Sequence, residues 1–401
     1  MHRKRPQSGR QKLHGPAITE SNGDDQRSYL LQSFHPPFRK HVSAIAKRAT
    51  CYEDLAESFP GLLFALATGF GSVEARRTAA EHVAAGTPLR EAADAIGLPW
   101  WTRKLPPQAF TKRLDKLPHD PTFSTRIVNA LPATPAGSGK WLDRVLQAYR
   151  TSNAEFALWV AKNDRFHSPQ VSDPALPYLA AWAWHADKPD TLGGRLLRRK
   201  WQPSMSPNRA FDELTVWRKR LRLALSLSSL DRKPWLTNGA ALGYDFVELR
   251  TVDDFIAESE FMDNCLDAFA EKLEAGVCYV FSIRENGVPV ADIEIGPHPQ
   301  EAQMPTIIQL RAPRNKRANP HIWRAAYAWI GNQTVSSAPA LLIDAPERRR
   351  AWRALWKPYL AELETADRAI FERLAIELDR VRSPRARSPR IRPRAAQRTA
   401  T

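Results

Sequence analysis

Three runs of alternating apolar and polar residues constrain the fold of this chain more than any other feature. They cover about 277–284, 288–296 and 305–312. Side chains that alternate with a period of two point to opposite faces of a β-strand. Because the links between the runs are short, the sequence predicts a three-stranded antiparallel sheet with one apolar face and one polar face.

The link between the first two strands decides which residues share a face. With regular pairing, a two-residue Asn286-Gly287 turn would set Phe281 opposite Asp292 and mix an apolar with a charged side chain. A three-residue loop that also includes Glu285 keeps the apolar side chains together, with Gly287 in the left-handed conformation. We therefore predict the three-residue loop.

The apolar face of the predicted sheet needs a packing partner. A helix is predicted over 252–275, because apolar residues recur there with a helical period. We expect this helix to cover the apolar face of the sheet. That face consists of Tyr279, Phe281, Ile283, Ile293 and Ile295.

The polar face brings together most of a candidate site. Carboxylates and guanidinium groups on one sheet face can bind a polar ligand or form a fixed charge network. The alternative is the solvated side of an antiparallel sheet. Together with polar residues before and after the sheet, the candidate site residues are Asn264, Cys265, Ser282, Arg284, Asp292, Glu294, Gln309, Arg311 and Asn315.

Cys265 is the candidate nucleophile of this group. A catalytic thiol needs a neighbouring base or positive charge, and His298 and His321 lie outside the motif. A free cysteine on the apolar face of a helix is usually a small core residue. On the predicted helix Cys265 shares such a face with Met262 and Phe269. We therefore predict a buried thiol that reacts slowly, with a catalytic thiol as the alternative.

No metal or cofactor site is predicted. The chain lacks the His and Cys spacings of zinc sites, and the segment Gly137-Ser138-Gly139-Lys140 lacks the other residues of a P-loop. No apolar run is long enough to span a bilayer, and the basic N-terminus is not followed by an apolar segment. Three widely spaced cysteines indicate reduced thiols. These features predict a cytoplasmic protein without a membrane partner.

Helical periodicity surrounds the strand region. It is clear from 42 to 235, where Ser72 can cap a helix that ends near Ala84 and Gly97 can end the next helix. The sequence therefore predicts an α+β protein, in which a predominantly helical N-terminal region precedes a small domain of antiparallel sheet and helices. The predicted parts are a disordered basic segment (1–40), an α-helical domain (42–235), an α+β domain (240–345), a C-terminal helix (347–380) and a disordered Arg/Ser/Pro tail (381–401).

The two ends of the chain carry most of its net charge of +16. Residues 1–14 contribute +5 and residues 381–401 contribute +7, and neither segment contains an acidic residue. Clustered cations bind phosphate backbones through counterion release, without reading the base sequence. We therefore expect contact with DNA or RNA, a solubilising tail being the alternative. The predicted contact residues are Arg3, Lys4, Arg5, Arg382, Arg385, Arg387, Arg390, Arg392 and Arg394.

In its strand region the chain resembles the PcfJ-like domain family. The family shows a Met-x-His/Asn-Cys-Val/Leu segment, a Ser-x-Arg strand, an Ala-Thr-Ile-Glu-like strand and a Gln-x-Arg-Gly-x-x-Asn segment, in this order. Within residues 240–335 the counterparts are Met262, Asn264, Cys265 and Leu266, then Ser282 and Arg284, then Ala291, Ile293 and Glu294, then Gln309, Arg311 and Asn315. Asn264 stands where the family often has His, Asp292 where Thr is common, and Ala312 where Gly is common.

The resemblance also implies a role. The family takes its name from a protein of conjugative plasmid transfer and is linked to relaxase and DNA processing. It therefore implies a nucleic-acid-associated accessory factor in DNA mobilisation or processing. Two alternatives remain at the level of sequence. One is an enzyme of unknown reaction that uses the polar sheet face and Cys265, and the other is an adaptor that binds proteins through its helical domain.

Overall fold

The computed structural model describes residues 28–132, 134–167, 175–230, 235–275, 278–301, 303–334 and 345–379. The chain divides into two compact units. One contains the described parts of residues 1–146 and 160–168, and the other contains those of 147–159 and 169–401. The predicted helical domain, 42–235, therefore contributes residues to both units. Among the described residues, no helix is long and apolar enough to cross a membrane.

The described residues between 42 and 230 are predominantly helical, as predicted. Ser72 Oγ accepts a hydrogen bond from Ala75 N at 3.0 Å and caps a helix that ends at Ala84, and Gly97 ends the next one with a φ of +73°. The helices are Pro36–Ala46, Thr50–Glu53, Leu55–Ser58, Pro60–Thr68, Val73–Ala84, Leu89–Ile96, Pro121–Ile127, Ser138–Thr151, Ala154–Lys162, Ala175–Ala186, Leu192–Arg195 and Pro207–Ser229.

One prediction of disorder and one prediction of a helix need correction. The described part of the segment expected to be disordered is helical instead, since residues 28–32 are helical and Pro36–Ala46 begins inside it. Phe34 is fully buried there, so this segment contributes to a core. The helix predicted over 347–380 is two helices, Ala345–Glu362 and Thr365–Asp379. Between them the Arg368 guanidinium donates to the carbonyl oxygens of Leu360 and Leu363, at 2.9 and 3.2 Å.

A six-stranded antiparallel sheet follows the helical region. Its strands lie in chain order, so each strand pairs with the next along the sequence. The strands are β1 Gly239–Ala241, β2 Tyr244–Glu248, β3 Tyr279–Glu285, β4 Val288–Pro297, β5 Pro305–Ala312 and β6 Lys316–Arg317. Three of the six, β3 to β5, are the predicted ones. The α+β fold is confirmed.

The predicted division of β3 and β4 into an apolar and a polar face is present, but the predicted loop is wrong. Glu285 pairs with Val288, so the turn has two residues, Asn286 and Gly287, whose φ angles are +52° and +78°. The register shifts near Ile283, because β4 contains a bulge next to Pro289. Proline lacks the N–H that regular pairing requires and is tolerated at bulges. Like the predicted three-residue loop, the bulge keeps the apolar side chains of β3 and β4 on the same face of the sheet.

The shifted register keeps the apolar and polar sets on separate faces. Phe281 lies opposite Ile293, and Ser282 lies opposite Asp292. Directly opposed residues of an antiparallel pair point to the same face. The prediction that Phe281 and Asp292 lie on opposite faces of the sheet is therefore confirmed.

Helices cover both faces of the sheet. The prediction that the segment 252–275 covers the apolar face is wrong, because that segment covers the polar face. The apolar face packs against helix Pro320–Gly331. Trp329 of that helix stacks on Phe246 with ring centroids 4.5 Å apart and meets the Phe281 ring at 4.8 Å. The polar face is covered by the segment predicted as one helix, which forms Val252–Met262, a 3₁₀ turn at Leu266–Ala268, and Ala270–Glu274. Ser282, Asp292 and Glu294 are thus buried between a sheet and a helix.

Candidate functional site

The helix that covers the polar face stops at the beginning of the candidate site. Thr251 and Asp254 form a capping box at its start, and Asp263, with a φ of +49°, ends it. Asn264 N then donates to Ser259 O at 3.1 Å, and Ser259 Oγ donates to Asn264 O at 2.9 Å. Asp and Asn enter the left-handed region more readily than most residues do. The sequence Asp263-Asn264 thus explains locally why the helix ends here.

This turn changes the environment of Cys265. The residue lies outside both helices and is exposed. The prediction of a buried thiol on a helical face is therefore wrong. Met262 and Leu266, on either side of the turn, are buried.

Seven of the nine candidate site residues line one recess beside the end of this helix. Gln309 lies opposite Glu294 in the sheet and Arg311 lies opposite Asp292. The recess has a volume of about 20 Å³, roughly the room that one water molecule needs. Ser282 and Arg284 do not line it. Its lining residues are Asn264, Cys265, Leu266, Phe269, Val280, Asp292, Glu294, Gln309, Arg311 and Asn315.

The polar face of the sheet is buried near the recess. Ser282 is fully buried, Asp292 is 6% exposed and Glu294 is 3% exposed. The alternative of a solvated sheet face is wrong for these three residues, because the covering helices exclude water from them. Arg311 and Asn315 are exposed and lie at the mouth of the recess. The recess therefore has a buried acidic side and an exposed side that offers N–H donors.

Asp292 forms a carboxyl pair with Glu258, which the sequence analysis missed. Burial first, and then the nearby charge of Glu258 and a hydrogen bond to it, raise the pKa of Asp292 to about 8, while the hydrogen bond from the Asn264 amide opposes the shift. Asp292 Oδ1 and Glu258 Oε1 have no donor among the described residues when both groups are ionised. One proton shared by the pair satisfies both atoms.

Arg284 and Lys272 balance the remaining negative charge. Arg284 Nη2 lies 3.8 Å from Glu258 Oε2, and Arg284 Nε donates to Ser282 Oγ at 3.1 Å. Lys272 Nζ lies 2.7 Å from Glu294 Oε2. A proton on Asp292 leaves one carboxylate for each cation. Ser282 and Arg284, although outside the recess, therefore support it from the adjacent strand.

Glu258 could have been found from the sequence. It lies on the buried side of helix Val252–Met262, together with Phe255, Ser259 and Met262. An acidic residue on the apolar stripe of a helix needs a buried partner, and the polar sheet face supplies one. No comparable signal identifies Lys272, which lies in the short helix Ala270–Glu274.

The recess offers a limited chemistry. A protonated Asp292 is a proton donor at neutral pH, and Cys265 is an exposed thiol. Within the described residues, no group of three or more His, Cys, Asp and Glu side chains could hold a metal ion. The volume admits water but not the body of an organic substrate. Any larger ligand would contact the mouth of the recess and not its interior.

A larger cleft lies on the other side of Gln309 and Arg311. It has a volume of about 320 Å³ and is lined by Ile308, Gln309, Leu310, Arg311, Arg317 and Trp323. Five exposed cations are located on β5, β6, the turn between them and the following helix. We call them the basic strip. They are Arg311, Arg314, Lys316, Arg317 and Arg324.

The sequence around the basic strip lacks acidic residues, and in the sheet Arg311 lies opposite the buried Asp292. The sequence contains no Asp or Glu from 302 to 343. Among the described residues, Arg314 is the member of the strip that forms an ion pair, at 3.3 Å to the exposed Asp263. This acid-free run could have been found from the sequence.

The cationic residues predicted at the two ends of the chain lie outside the described residues. Their contact with nucleic acid stays a prediction.

No family model matches this chain, and neither does any curated protein or solved structure. The resemblance to the PcfJ-like domain therefore remains a prediction based on the quoted segments.

Proposed function

We propose that this chain is a nucleic-acid-associated accessory factor and that its basic strip binds the phosphate backbone. The observation that carries the proposal is the absence of acidic residues from 302 to 343, around five exposed cations. A surface of one sign attracts polyanions and releases their counterions on contact. Arginine, which supplies four of the five cations, also donates two parallel hydrogen bonds to a phosphate.

The basic ends of the chain add to the same interaction. Twelve cations in residues 1–14 and 381–401 supply charge that does not depend on a particular base sequence. We therefore propose that DNA or RNA is held without sequence readout. The more specific role, DNA mobilisation or processing, follows from the resemblance to the PcfJ-like domain and belongs to the same proposal.

A charge-reversal experiment tests the basic strip. Arg311→Glu combined with Arg317→Glu is compared with Arg349→Glu combined with Arg353→Glu, two exposed arginines of helix Ala345–Glu362. Both double variants change the net charge equally. We expect the strip variant to bind a labelled duplex at least about tenfold more weakly than the control, with a shallower dependence on salt, because about two phosphate contacts are lost. Equal affinities of the two double variants would contradict the proposal.

An enzyme that uses Cys265 is the second candidate. It is favoured by the exposure of the thiol in the same recess as a protonatable Asp292. This candidate is tested by alkylation with a small uncharged reagent, followed by mass spectrometry. The rate at Cys265 in the folded protein is compared with the rate in a short peptide of the sequence 260–270. A rate well above that of the peptide supports an activated thiol. A rate equal to or below that of the peptide counts against it.

A further inference from the structure

The cleft beside Trp323 combines features that a phosphate backbone alone does not require. Its volume of about 320 Å³ is at the lower end of the range for pockets that hold small organic groups. One wall is strand β5 and the other is helix Pro320–Gly331. Trp323 and Ile308 provide apolar surface, while Arg311 and Arg317 provide positive charge.

Trp323 is held in place as part of an aromatic surface. It is half-buried and packs against the core on the apolar side of the sheet. One turn further along the helix, Tyr327 lies with its ring centroid 5.9 Å from that of Trp323 at an interplanar angle of 34°. Tyr327 is 62% exposed, and Ile308 across the cleft is 51% exposed. An aromatic pair fixed on a helix presents ring surface to a flat ligand at little cost in conformational entropy.

The charges around this surface restrict the kind of ligand. Arg311 and Arg317 line the cleft, and Arg324 is exposed next to Trp323. None of the three has an acidic neighbour in the sequence from 302 to 343. A ligand that carries both flat rings and regularly spaced negative charge matches this combination. Single-stranded nucleic acid has these properties, because its bases are free to stack on aromatic side chains while its phosphates contact cations. The bases of a duplex are already stacked inside the helix.

We propose that this cleft binds single-stranded nucleic acid, with an unpaired base stacked on Trp323 and the flanking phosphates contacted by Arg311 and Arg317. The proposal rests on the proposed function and adds a preference for single strands to it. An acidic peptide would match the charges but would leave the aromatic surface without a stacking partner.

Stacking can be separated from charge by comparing two ligands and four variants of the full chain. The ligands are a labelled oligothymidylate strand and a labelled duplex of equal length, titrated by fluorescence anisotropy at high salt, where electrostatic contributions are weakened. The variants are Trp323→Ala, Trp323→Phe, Tyr327→Ala and the control Tyr29→Ala. Tyr29 is an exposed aromatic residue in the other unit, at 68% exposure.

We expect Trp323→Ala to weaken single-strand binding by about tenfold, which is within the range measured for base–aromatic stacking. Duplex binding should change less than twofold. Trp323→Phe should retain most of the affinity, because it keeps an aromatic face. Tyr327→Ala should weaken single-strand binding by a smaller factor. Because the Tyr327 side chain is exposed, its removal should not affect folding. Tyr29→Ala should bind both ligands as the unchanged chain does.

Four results would overturn the proposal. Unchanged single-strand affinity in both Trp323→Ala and Tyr327→Ala excludes stacking, and the proposed function then still stands if reversal of Arg311 and Arg317 weakens binding. Equal losses for single strand and duplex in Tyr327→Ala indicate a surface that does not distinguish them. Competition by polyglutamate as strong as by an oligonucleotide of equal charge identifies an acidic peptide as the ligand. If neither nucleic acid binds the unchanged chain, the proposed function fails together with this inference.

Discussion

At the residue scale, the protonation of Asp292 links the candidate site to the stability of the fold. Burial, followed by the effect of Glu258, raises its pKa from 3.8 to about 8. Between about pH 4 and pH 8 the folded chain therefore holds a proton that the unfolded chain releases. The stabilising contribution is complete below the unfolded pKa and is lost as the pH rises through the folded pKa. The corresponding slope is at most ~1.4 kcal/mol per pH unit.

Asp292→Asn should remove this dependence on pH. The amide resembles the protonated acid, since it keeps an oxygen that can accept from Asn264 and adds N–H donors that can face Glu258. We expect the variant and the unchanged chain to differ little in free energy of unfolding near pH 4–5. The variant should become progressively more stable than the unchanged chain toward pH 8. Urea denaturation across this range measures the effect, and parallel profiles would contradict it.

Glu258→Gln provides the matched test of the carboxyl pair. It removes the neighbouring charge while keeping the shape of the side chain. If Glu258 contributes to the raised pKa of Asp292, the pH dependence of stability should be shallower in this variant than in the unchanged chain. A profile identical to that of the unchanged chain would assign the shift to burial alone.

Period-two alternation predicted which sheet residues share a face, and it brought Asp292, Glu294, Gln309 and Arg311 together correctly. It could not predict whether that face is exposed to solvent or covered by a helix, because alternation within a strand carries no information about the elements that pack on it. Cys265 was placed wrongly for a local reason. The helical period continues through the turn after Met262, while the left-handed Asp263 breaks the helix itself.

At the scale of elements, the β3–β4 hairpin shows how a correct division into an apolar and a polar face was predicted from an incorrect loop. Separation of polar and apolar side chains required an odd number of extra residues, and both a three-residue loop and a bulge satisfy that requirement. Pro289 in β4 was the signal for the bulge. Of the three strands that were not predicted, β1 has three residues and β6 has two, too few to show alternation.

Gly287→Ala should destabilise the protein. Gly287 has a φ of +78° in the turn, and residues with a Cβ atom adopt this left-handed region at a cost in conformational energy. We expect a loss of about 1 kcal/mol in the free energy of unfolding, measured by urea denaturation.

Gly331→Ala is the matched control for the hairpin variant. Gly331 lies at the end of helix Pro320–Gly331, its added methyl group meets nothing within 4 Å, and its φ is not in the left-handed region. The same substitution should therefore be neutral or stabilise by up to ~1 kcal/mol, because alanine favours the helix. A similar loss in both variants would mean that the conformation of the hairpin turn is not the cause.

At the scale of the whole molecule, the cations assigned to nucleic-acid contact lie in three places along the chain. Twelve of the sixteen net charges belong to residues 1–14 and 381–401, and a third concentration is the basic strip. The ends were predicted as nucleic-acid contacts from composition alone, whereas the strip required the structure, because exposure of all five cations cannot be read from their spacing. The α+β class followed from the change of periodicity near residue 235.

The charged ends and the basic strip should contribute to binding in different ways. Replacement of the twelve cations in residues 1–14 and 381–401 by glutamine should weaken binding to duplex and single strand by similar factors, because counterion release depends on charge and not on base exposure. The dependence of affinity on salt should also become shallower. The preference for single strands should persist, since it is assigned to Trp323. The control is a chain whose two ends have the same composition in a shuffled order. It should bind as the unchanged chain does, and a loss of affinity on shuffling would show that the ends contain a specific recognition sequence.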